Sequence, residues 1–171
     1  RFDRIEMRPA LDVLADHWKL DKNTIPTPND DNWETITPLE TGYLILDRLN
    51  VVIASDLGSE FELGHGLLIP VAASVTNEEG SERLVEENDI WRNLAKTWDD
   101  VLFPQLEDRY SGRPEQLMEL LRVDTGPSAG EYAWTLRTTR SGAVAGRALA
   151  PIRLSELSID VIKRSLRWLT R

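Results

Sequence analysis

Among the side chains able to do acid–base or metal chemistry, His17, His65 and the adjacent acids Asp99-Asp100 and Glu107-Asp108 come first. With no cysteine in 171 residues, a thiolate nucleophile, a disulfide framework and a cysteine-ligated zinc site are excluded. His17 stands beside Trp18 in a helical pattern with no ligand partner at matching spacing, which fits packing or surface better than metal. Two consecutive acids on a helix point in different directions, so neither pair reads as the carboxylates of a glycosidase or a metal nuclease. His65 is different, because Gly64 and Gly66 flank it and let the backbone come close to a ligand or another subunit. A tight turn with a hydrogen-bonded histidine is the plainer alternative. Asn50, polar on an otherwise apolar helix face, suits fixing packing register rather than touching substrate.

Charge is the second source of candidates. Residues 133–171 carry eight Arg and Lys against Glu156 and Asp160, a net +6, which leaves −15 on the other 132 residues of a chain whose total is −9. A net-acidic protein does not coat nucleic acid over its whole surface. Within the tail, Arg137, Arg140 and Arg147 surround a predicted hairpin turn, and Lys163, Arg164, Arg167 and Arg171 line a predicted last helix. DNA phosphates, an acidic partner or the protein's own acidic body would each suit them.

The elements that must hold these residues are mostly helical. Leu11, Leu14 and Trp18 recur at helical spacing after Pro9, predicting a helix from Pro9 to Lys19; the Pro-containing polar stretch 21–32 predicts a loop. Thr37-Pro38-Leu39-Glu40 is a capping box, and the helix behind it, apolar on more than one side and ending at Gly58, is expected at the centre of a bundle. Asp89 is expected to cap a helix carrying Trp91, Leu94 and Trp98; Pro104 marks a break or a new first turn, and Pro114 opens another short helix. Beyond the linker-like DTGPSAG, Tyr132–Leu136 and Leu149–Leu154 predict two strands around a glycine-rich turn. Ser155 or Ser158 then caps a helix striped with Ile159, Ile162, Leu166 and Leu169. The longest apolar run, 66–75, is broken by Pro70 and falls far short of the ~20 residues a bilayer needs. With no signal peptide visible either, a cytoplasmic location is the default expectation.

Three stretches together resemble the C-terminal lid of McrB-like AAA+ NTPases, the nucleotide-driven subunits of modification-dependent restriction systems. Arg1-Phe2 with Ile5-Glu6-Met7 is similar to the arginine-rich turn and strand that close the family's core. Leu49-Asn50-Val51-Val52-Ile53, Leu57-Gly58 and Leu63-Gly64-His65-Gly66 are similar to a lid helix, a Leu-Gly turn and a Gly-His element. Phe103-Pro104-Gln105-Leu106-Glu107-Asp108-Arg109-Tyr110 is similar to a later helix end. The likeness covers roughly residues 1–122, with departures: Gly66 replaces the usual hydroxyl residue, and Leu67 and Leu68 stand where aromatics are common.

The resemblance implies a mainly α fold. Residues 1–8 would be the last, edge strand of a truncated AAA+ core, 9–124 the helical lid, and 125–171 a basic β-hairpin and helix appendage. It implies that Gly64, His65 and Gly66 lie near bound nucleotide and that Arg1 adjoins a catalytic arginine reaching across to a neighbour's nucleotide. NTP and magnesium would belong to the parent protein, with no cofactor in this stretch itself. The implied partners are an upstream core, further copies in a ring and a nuclease subunit, with DNA as a candidate for Arg137, Arg140, Arg147, Lys163, Arg164 and Arg167; no membrane is expected. A stand-alone helical module that binds protein or DNA through the basic hairpin is the competing expectation.

Overall fold

A computed structural model describes residues 9–28, 32–72, 75–76, 82–83, 86–123, 134–141 and 144–171, with backbone alone for Trp33, 75–76, 82–83, 134–141 and 144–151. The chain is mainly helical. Helix α1 spans Leu11–Trp18, α2 Pro38–Asp56, α3 Glu87–Thr97, α4 Phe103–Arg109, α5 Pro114–Leu120 and α6 Ile159–Trp168, with a single π-helical turn, Trp98–Leu102, between α3 and α4. Two short strands, β1 (Val75–Thr76) and β2 (Glu82–Arg83), pair antiparallel, as do β3 (Trp134–Ser141) and β4 (Val144–Pro151).

Helix α2 forms where the sequence asks for it. Thr37 accepts from the Glu40 N–H while the Glu40 carboxylate accepts from the Thr37 N–H at 2.9 Å, and Pro38 supplies a first turn that needs no donor. Its end is set by Gly58, whose φ of +114° is closed to other residues without strain. Ile45, Leu46, Leu49 and Ile53 are fully buried on it, and α1, α3 and α6 all lie against it. Each such side chain taken from water contributes about 1.5–3 kcal/mol, so this face organises the bundle. From the neighbouring helices come Leu14 and Trp18, Trp91 and Leu94, and Ile162 and Leu166, all in the same core.

Some boundaries differ from the sequence reading. Asp89 is not the cap of α3: Glu86 takes that position, and Asp89 sits three residues on, its carboxylate accepting from the Glu86 N–H at 3.1 Å. The box is reciprocal, so the carboxylate furthest along the chain looked like the starting residue. Of the two readings of Pro104, the new first turn holds: it lies at the start of α4, directly after the π turn. Strands β3 and β4 reach closer to their turn than the glycines suggested, pairing as far as Ser141 with Val144, while Leu154 falls in a 3₁₀ turn rather than a strand. Ser158, not Ser155, precedes α6. The strand expected at residues 1–8 lies outside the described residues. No helix among the described residues is long and apolar enough to cross a membrane.

Candidate functional site

The Gly64-His65-Gly66 stretch becomes a surface turn because both of its flanks are nailed into the core. Leu63 and Leu68 are fully buried. The buried Asn50 amide grips the Leu63 backbone twice, accepting from its N–H at 2.6 Å and donating to its carbonyl at 2.9 Å. Between these anchors His65–Leu67 makes one 3₁₀ turn, closed by Leu67 N–H to the Gly64 carbonyl at 3.2 Å and Leu68 N–H to the His65 carbonyl at 3.2 Å. Gly64 and Gly66 are exposed, and a Cβ on either would meet open space. Neither the backbone angles nor crowding within the described residues requires glycine there.

His65 is half-buried, and its Nδ1 accepts from the Ala10 N–H at 3.1 Å. Ala10 precedes α1 and has no oxygen-bearing side chain to cap it, so the imidazole satisfies one of the donors that a helix start leaves over. The bond needs Nδ1 without its proton, which leaves Nε2 as a donor. The turn therefore sits beside the start of α1, with Gly64 and Gly66 facing open space.

Two of the α6 cations, Lys163 and Arg167, lie against the body. Arg167 donates from Nε to the Ile36 carbonyl at 3.0 Å and stacks 5.0 Å over the Trp91 ring, and burial lowers its pKa from the usual guanidinium value. Lys163 is 3.9 Å from Glu87, whose carboxylate also accepts from the Trp91 indole at 3.1 Å. Arg164 is exposed. For Arg137, Arg140 and Arg147 only the backbone is described, and the ladder sets Arg140 opposite Ala145 and Arg147 opposite Thr138. That register puts Arg140 and Arg147 in phase and Arg137 out of phase. Arg1 lies outside the described residues.

Arg48, which the sequence reading passed over, and Asp99, which it set aside, organise more than any of these. Arg48, half-buried on α2, donates to the Leu120 carbonyl at 2.8 Å and the Leu169 carbonyl at 3.2 Å, joining the ends of α5 and α6. Burial, with the like charge of Arg122, pulls its pKa down to about 10, so it stays cationic at neutral pH. Asp99 accepts from the Leu154 N–H, the Ser155 N–H and the Ser155 hydroxyl at 2.9, 2.8 and 2.6 Å, while Asp100 pairs with Arg153 at 2.8 Å. The acid pair set aside as divergent thus holds one segment from within the π turn. A basic residue amid the α2 stripe was the available signal for Arg48; nothing in the sequence announced the π turn.

Among the described residues no cluster of His, Asp and Glu is arranged to hold a metal ion. A groove of about 870 Å³ runs between α2, α5 and the end of α6, sharing no lining residue with the Gly64–Gly66 turn. No family model matches the chain, and neither a curated protein nor a solved structure matches it.

Proposed function

We propose that this chain is the helical lid and C-terminal region of a McrB-like AAA+ NTPase, part of a ring motor that drives a partner nuclease in DNA restriction or defence. The basic hairpin is its appendage, with α6 packed into the helical core. The observation that carries the reading is the Gly64-His65-Gly66 turn bonded to Ala10 at the entrance of α1. A lid must meet nucleotide near the point where the chain passes into it from the core, and this turn offers an exposed backbone and an imidazole N–H there. The work of such a lid is mechanical: it closes over nucleotide in its own subunit, and closure matters only through contacts made better in the bound state.

The test uses the protein carrying both this chain and its nucleotide-binding core. Since His65 also caps α1, His65→Ala confounds two roles, whereas His65→Asn keeps an acceptor near Nδ1 and loses the imidazole. Under the proposal, both variants lower NTP turnover or ring assembly, while only the alanine lowers the melting temperature. Unchanged turnover and assembly in both would leave His65 with the cap alone and remove the nucleotide role.

A further inference from the structure

We draw no further inference here: the strongest candidate, the groove between α2, α5 and the end of α6 lined by Arg48, Asp56, Glu119, Arg122 and Trp168, carries nothing because its mixed charges select no one occupant and nothing among the described residues shows what covers it.

Discussion

Asn50 and Leu63 are thirteen positions apart and share two hydrogen bonds inside the core, one in each direction. An amide side chain can do this because it carries a donor and an acceptor side by side, matching the backbone it faces. In Asn50→Leu both Leu63 groups stay buried without partners, at about 1–3 kcal/mol for each. Urea denaturation should therefore show a lower midpoint at unchanged slope, and a midpoint equal to wild type would mean that water reaches Leu63. The sequence marked Asn50 as structural, since a lone polar residue on an apolar stripe must find a partner or be expensive to bury, but it pointed to packing register and not to Leu63. His65 was legible only as a choice between two readings. Its glycines drew attention, yet what it bonds is Ala10, fifty-five residues earlier, and no local pattern reports a partner so distant.

At the scale of elements, α3, the π turn and α4 form one continuous run of helix interrupted where Asp99 and Asp100 need to face the segment 153–155. Asp99 serves the 3₁₀ turn Leu154–Glu156 as an N-terminal acceptor, a part usually played by a residue of the turn itself. Asp99→Ala should strand two backbone donors, destabilising by about 1–3 kcal/mol for each one that water does not reach. The loss should be local. Amide exchange at Leu154 and Ser155 is expected to accelerate before that of Ile45 to Ile53 in α2; uniform acceleration would show that Asp99 holds up the whole bundle instead. The α2 capping box and the apolar stripes were readable because they depend on residues three or four apart. The π turn was not, since no pattern of residues three or four apart marks it, and the segment its two carboxylates meet lies more than fifty residues away.

For the whole molecule, the question is what an acidic protein does with a basic end. The ion pair between Lys163 and Glu87 is partly exposed and contributes little. What fixes α6 is the burial of Ile162, Leu166 and Leu169, with Arg167 wedged between Trp91 and the Ile36 carbonyl. Arg167→Glu should lower the melting temperature, because the new carboxylate meets a carbonyl and the negative face of an indole. The paired reversal Arg140→Glu and Arg147→Glu tests the hairpin separately. With labelled duplex, the expected result is background binding in wild type and double mutant alike, given −15 on residues 1–132. Binding that falls steeply with salt, and that the reversal abolishes at an unchanged melt, would favour the DNA-binding module. Arg48 adds a matter of timing. Its two bonds span 72 and 121 positions of chain, and loops of that size close late on the way to the native state. The guanidinium can engage only after both helix ends have arrived, so we expect its bonds on the downhill side of the folding barrier. Stopped-flow chevrons of Arg48→Met should show faster unfolding with a refolding arm close to wild type, whereas a slowed refolding arm would put the joining of α5 and α6 to α2 within the nucleus.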